Sequence, residues 1–143
     1  FYGTDLEVGY RYCREAYDGI ALRAKLKSEG RSDHRAIRKV IDKLASQRRA
    51  TQPREASAGC IFRNPDDESA GLLIDQAGLK GEREGAAVVS DLHANFIINE
   101  GGASAEEVIS LIKRVRERVK ESKGMMLEPE VDILGHSWEE FLS

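Results

Sequence analysis

The sequence predicts an α+β fold, a small mixed sheet with helices packed on it. Three observations predict it. Short apolar runs bounded by glycine and polar residues recur between residues 57 and 99. Apolar residues at helical spacing follow Ser104 and Glu107, which have the spacing of a capping box. No internal repeat interrupts this pattern.

In order along the chain, "GIALRAKLKS" (19–28) alternates, with Ile20, Leu22, Ala24 and Leu26 against Arg23, Lys25 and Lys27. Period two predicts a half-exposed strand. "EGRSDH" (29–34) is turn and cap chemistry, and Ile37, Val40, Ile41 and Leu44 then predict a helix over 33–48. "RRATQPREASAG" (48–59) reads as a linker carrying the domain boundary, because Gln52 before Pro53 is turned away from helix. "CIFRN" (60–64) is a short strand. Ala70, Leu73, Ile74 and Ala77 mark a short helix ending at Gly78. "GAAVVS" (85–90) and "ANFIIN" (94–99) are two strands. The helix after Ser104 carries Val108, Leu111, Ile112, Val115 and Val119 on one face and stops at Gly124. "MMLEPEVDILG" (125–135) is a last strand broken by Pro129, and "HSWEEFLS" (136–143) shows no pattern.

Hydrophobic residues are 41% and charged residues 33%, and net charge is −3, so a packed core is expected and a basic nucleic-acid footprint is not. There is no apolar run of membrane-spanning length, no signal-peptide pattern, no dinucleotide-binding glycine turn and no P-loop. The two cysteines, Cys13 and Cys60, make neither a CxxC pair nor a disulfide framework, which points to a reducing cytoplasm. His34, His93 and His136 are far apart and lack ligand spacing, so no metal site is expected. The chain opens at Phe1 without a methionine, directly into a strand-like run, and is expected to be cut from a longer protein. Taken singly, Arg11, Cys60, Lys80 and Glu130 are ordinary surface or core residues.

Taken together, five strings are more specific. "GYRYC" precedes "SAGCIFRNP" by about fifty residues, and "AGLLIDQAGLKG", "GAAVVSDLHANFIIN" and "LEPEVDILG" follow in order. This set resembles the UDP-N-acetylenolpyruvoylglucosamine reductase family, also called UDP-N-acetylmuramate dehydrogenase, over residues 8 to 135. The resemblance implies a bacterial, cytoplasmic flavoenzyme of peptidoglycan synthesis. NADPH reduces FAD, and the flavin reduces UDP-N-acetylglucosamine enolpyruvate. It implies catalytic roles for Arg11, Cys60 and Glu130, and substrate contacts from Asn64, Lys80 and His93. It also implies a division of the chain. Residues 1–49 would be the end of a flavin-binding α+β domain and 50–125 a UDP-sugar domain. Residues 126–135 would be a returning strand bearing Glu130, and 136–143 a tail.

The chemistry accounts for those residue types. Hydride delivered to the methylene carbon leaves an enolate-like anion, which needs positive charge or donors where the charge develops. Arg11 offers a planar charged fork to a carboxylate. Cys60 stands where the family keeps a serine proton donor, and a free thiol, with a pKa near 8.5, is a far stronger acid than an alcohol. Cys13 replaces a frequent serine, and Ala86 replaces a frequent glycine at an expected close approach. The family's glycine-rich flavin region is not present in these residues. The chain alone is therefore expected to be inactive without a missing FAD-binding half. The alternative is a UDP-sugar binding module without catalysis.

Overall fold

The computed structural model describes residues 3–9, 12–17, 19–28, 30–65 and 68–142. By packing, the chain divides into two units, Phe1–Arg38 and Lys39–Ser143, and the division passes through a helix. In the first unit a 3-10 turn at Gly3–Asp5 precedes a small antiparallel ladder. The ladder pairs β1 (Val8–Gly9) with β2 (Tyr12–Cys13), and the one-turn α1 (Arg14–Tyr17) follows. Residues 20–28 form no strand, and Ile20, Leu22 and Leu26 are about nine-tenths exposed. The alternation states which side chains would be buried together. It does not supply the neighbouring strand that must complete the ladder. The helix α2 (His34–Thr51) starts where Asp33 accepts the amides of Arg35 and Ala36, and runs three residues past its expected end. The linker therefore shrinks to the residues around Pro53.

The second unit holds the core. A four-stranded antiparallel sheet has the order β3 (Ser57–Cys60), β6 (Phe96–Asn99), β5 (Ala87–Val89), β4 (Arg83–Glu84). The α+β class holds. All pairings are antiparallel rather than mixed, because β4–β5 and β5–β6 are joined by connections too short for a parallel crossover. Two helices cover one face: α3 (Ala70–Gln76) and α4 (Ala105–Lys123). Leu73 and Ile74 of α3 and Leu111, Ile112, Val115 and Val119 of α4 pack with Ala87, Val89 and Ile97 of the sheet. Val88 and Phe96 are buried too, but outside that cluster, as strand alternation requires of the opposite face. Arg114 holds α4 to β4 by donating to Glu82 and Glu84, and those two acceptors raise its pKa further.

Two expected strands come out differently. The donor-bearing strand lies at 57–60 rather than 60–64, and beyond it only Phe62 bridges to Pro129. The last expected strand, 125–135, is reduced to that bridge, because Pro129 has no N–H to give a ladder. The patternless tail forms a single turn, α5 (Glu139–Leu142), and the Trp138 indole donates to the Val131 carbonyl at 2.6 Å.

The capping box at Ser104 is present, and α4 ends at Gly124 in the left-handed region. The Glu107 carboxylate of that box also accepts from the Ala86 amide, joining the helix to the β4–β5 hairpin. The tight approach expected at Ala86 is one residue earlier. Gly85 has φ 54°, and a Cβ there would overlap the Glu107 carboxylate. Gly85→Ala is expected to cost about 2–3 kcal/mol, from left-handed backbone and a displaced cap. In a Glu107→Ala background the same change should cost only the backbone part. Denaturant titration of the four proteins checks this, and equal costs in both backgrounds would show that the carboxylate is not what Gly85 accommodates.

Candidate functional site

The site is organised around the departure of β3 from the sheet. Gly59 has φ 86°, a conformation favouring glycine, and the β3–β6 register shifts between Ser57 and Cys60. Cys60 stands opposite Phe96 and is half-buried. Past it, the chain pairs on its other side. The Glu130 amide donates to the Ile61 carbonyl at 2.7 Å and the Arg63 amide to the Glu128 carbonyl at 2.9 Å. Glu130 therefore lies one strand spacing, roughly 5 Å, from the residue after Cys60. The segment bearing it is bracketed by Arg116 donating to Leu127 O at 2.9 Å and by the Trp138 bond to Val131 O. The backbone of Glu130 is thus set beside that of Ile61, the residue after Cys60, although Glu130 and Cys60 are seventy positions apart. Arg11 lies outside the described residues. Cys13, in the first unit, donates its thiol to Glu15 at 3.6 Å.

The expected substrate residues follow the same end of the sheet. Cys60 pairs with Phe96, the Ser90 amide donates to Phe96 O, and the Gly81 amide donates to Val89 O. Lys80 is next to Gly81, so the row from Cys60 to Gly81 crosses three strand spacings, about 14 Å. Lys80 pairs with Asp75 at 2.6 Å and is half-buried. The Asn64 side chain accepts from the first amide of α3, Ala70, at 3.0 Å. The His93 ring accepts the Asn95 amide at Nδ1, 3.3 Å, which leaves Nε2 to carry the proton of a neutral ring. That ring lies edge-on to Phe96, at 4.8 Å between centroids, and against Gly71, where a Cβ would come within 3.1 Å of it.

A cleft of about 430 Å³ opens beside this row, between residues 49–55 and the Ser90–Leu92 turn, with Ile98 in its wall. Arg49 and Arg54 line it, together with Glu55 and Asp91. A second depression, of about 470 Å³, lies on α4 against Phe141 and is lined by none of the expected site residues. Asn95 and Ser90, both buried, also went unremarked. Ser90 Oγ accepts the amides of Leu92 and His93 and so holds the turn that presents the histidine.

Among the described residues no group of three or more His, Cys, Asp or Glu is placed to hold a metal ion, and no helix is long and apolar enough to cross a membrane. A flavin dinucleotide needs a backbone cradle for its phosphates. The one glycine pair that leads into a long helix here, Gly101–Gly102, does not provide it. The amides of Gly101 and Ala103 go to Asn99 Oδ1 and that of Ser104 to Glu107. Those amides are therefore taken up within the loop and are not free to cradle a phosphate.

A small antiparallel sheet backed by two helices, with the backbone of the Glu130 segment paired at Ile61 and Arg63, is the architecture of the domain. Residues 52–134 match the family described as UDP-N-acetylenolpyruvoylglucosamine reductase, C-terminal domain, and the chain belongs to that family. It is 45% identical over 134 residues to the UDP-N-acetylenolpyruvoylglucosamine reductase of Alkalilimnicola ehrlichii, covering 93% of this chain and 45% of that protein. It is 44% identical over 134 residues to UDP-N-acetylenolpyruvoylglucosamine reductase 2 of Symbiobacterium thermophilum, covering 92% of this chain and 44% of that protein. The crystal structure of the reductase MurB from Thermus caldophilus superposes with a TM-score of 0.73 at 40% identity, covering 90% of this chain and 46% of that one. The chain spans a little under half the length of these relatives.

Proposed function

We propose that this chain forms the substrate-binding part of a cytoplasmic, FAD- and NADPH-dependent reductase in bacterial peptidoglycan synthesis. It acts on UDP-N-acetylglucosamine enolpyruvate, giving UDP-N-acetylmuramate. The observation that carries the reading is the backbone pairing of the Glu130 segment onto residues 61–63, directly after Cys60, which supports convergence of two residues that the family's pattern makes catalytic. The family membership supports it. When bound, mainly by a flavin-binding half other than these residues, FAD would supply hydride for the methylene carbon of the enolpyruvyl group. This chain supplies the rest. Arg11 by its charge, and Glu130 by a hydrogen bond donated from its protonated form, stabilise the negative charge that develops on the neighbouring carbon and its carboxylate. The Cys60 thiol gives its proton to that carbon, leaving a thiolate to be reprotonated by solvent.

The 14 Å row suits an extended nucleotide-sugar. The enolpyruvyl end lies by Cys60 and Glu130, and Asn64 contacts the diphosphate and nucleotide portion. The diphosphate and nucleoside lie towards Lys80, His93 and the arginine-lined cleft. Lys80 supplies a point charge to the diphosphate, and its bond to Asp75 holds the ammonium in place. In the FAD-loaded protein containing this chain, NADPH oxidation should depend on the enolpyruvyl UDP-sugar. Lys80→Ala should weaken binding of that substrate about tenfold or more, the scale of a charge-assisted hydrogen bond, with little change in kcat. NADPH oxidation indifferent to the UDP-sugar would defeat the reading.

A further inference from the structure

We propose that Asn95 is the positioning residue of this site, the clamp that fixes Cys60 and Glu130 relative to one another. The proposal rests on the reading of those two residues given above. Asn95 is 2% exposed, and each of its polar groups is engaged. Its side-chain Oδ1 accepts from the Phe62 amide at 2.9 Å, and its Nδ2 donates to the Phe62 carbonyl at 2.8 Å. Its backbone carbonyl accepts from the Ile61 amide at 2.9 Å, and its own amide donates to the His93 ring at 3.3 Å.

This arrangement solves a specific problem. Past Cys60 the chain has left the β3–β6 ladder, so the N–H and C=O of Phe62 face inwards with no strand to pair with. Unpaired, each would cost about as much as a lost buried hydrogen bond. The Asn95 carboxamide has one acceptor and a donor on adjacent atoms, the pattern a peptide group presents, and it takes the place of the missing strand. With Phe62 held on that side, the Ile61 carbonyl and the Arg63 amide face the other way, where Glu130 and Glu128 pair with them. Loss of the carboxamide would free residues 61–63 to shift, and with them the Cys60 thiol on one side and Glu130 on the other. Misplacement by about 1 Å can cost roughly a hundredfold in rate.

The test uses the FAD-loaded protein containing this chain, with substrate-driven reoxidation of reduced flavin followed by stopped flow. Asn95→Ala should slow reoxidation by about tenfold to a hundredfold. It should leave flavin reduction by NADPH unchanged, since that step needs no proton delivered to the enolpyruvyl carbon. Combined with Cys60→Ala it should add little further loss, because the clamp acts through Cys60. Asn95→Asp keeps the size of the side chain and serves where alanine fails to fold. Its neutral acid form can both accept from and donate to Phe62, whereas its charged form repels the Phe62 carbonyl. Its reoxidation rate should therefore rise towards wild type as pH falls, relative to the wild-type profile. Full additivity with Cys60→Ala, or a change in KM or melting temperature with reoxidation intact, would overturn the proposal. If Cys60→Ala itself reoxidises at the wild-type rate, the proton-donor reading fails instead. If only the Asn95 variants do so, the clamp alone is refuted.

Discussion

Cys60→Ala is expected to lower substrate turnover by about 10²–10⁴-fold, the contribution of a positioned general acid, while Cys60→Ser keeps much of the activity. Alanine removes the proton and leaves the backbone of β3 and its pairing with Phe96 untouched. Serine restores a donor of similar size at the same position. It is a weaker acid than a thiol in general, so a residual deficit is expected to fall on the protonation step. Deuterated solvent should slow the serine variant more than the wild type if proton delivery has become limiting. Binding of the UDP-sugar should be nearly unchanged in both variants, since Lys80 lies about three strand spacings away. Wild-type turnover in Cys60→Ala would remove the thiol from the mechanism, and an equal loss in both variants would assign Cys60 a packing role instead.

The elements legible in the sequence were those in which local chemistry and burial agree. The α4 helix shows its cap in Ser104 and Glu107, its buried stripe in Leu111, Ile112, Val115 and Val119, and its stop in Gly124, all within one segment. The β5 and β6 strands were legible for the same reason. The 19–28 run was misread because alternation is a property of one segment, whereas a strand is a property of two. The break of β3 was not legible either. Its causes are a glycine at φ 86° and a carboxamide thirty-three residues away, and no periodicity marks either. Cys60 and Glu130 stand out only through their strings, and the pairing of the Glu130 segment onto residues 61–63 depends on backbone bonds that leave no trace in composition. Asn95 carries no sequence signal of its place, because a buried amide and an exposed one read alike in a sequence.

Phe62→Ala is expected to be among the most destabilising single changes in the second unit, about 3–5 kcal/mol, the range for truncating a buried aromatic. Phe62 is 1% exposed and is among the largest fully buried side chains of the core. It also faces Pro129 across the bridge that closes the Glu130 segment onto the sheet. Truncation therefore opens a cavity and loosens the contact that returns residues 128–130 to the site. Against a typical total stability of about 5–15 kcal/mol, the loss is roughly a fifth or more of what holds such a domain folded. For a domain of this size each kcal/mol lowers the melting temperature by roughly 4 °C or more, so a fall of more than about 10 °C is expected. Leu72→Ala is the matched control. Leu72 is 52% exposed on α3, and its truncation should cost under about 1 kcal/mol. Thermal and denaturant unfolding of both variants separates the two, and comparable losses would mean that the core is not centred where Phe62 meets the returning segment. The carboxamide of Asn95 holds the backbone of this residue while the core holds its ring, so register at the site and stability of the domain are set at one position. Asn95→Ala should therefore cost less stability than Phe62→Ala and more rate for each kcal/mol lost.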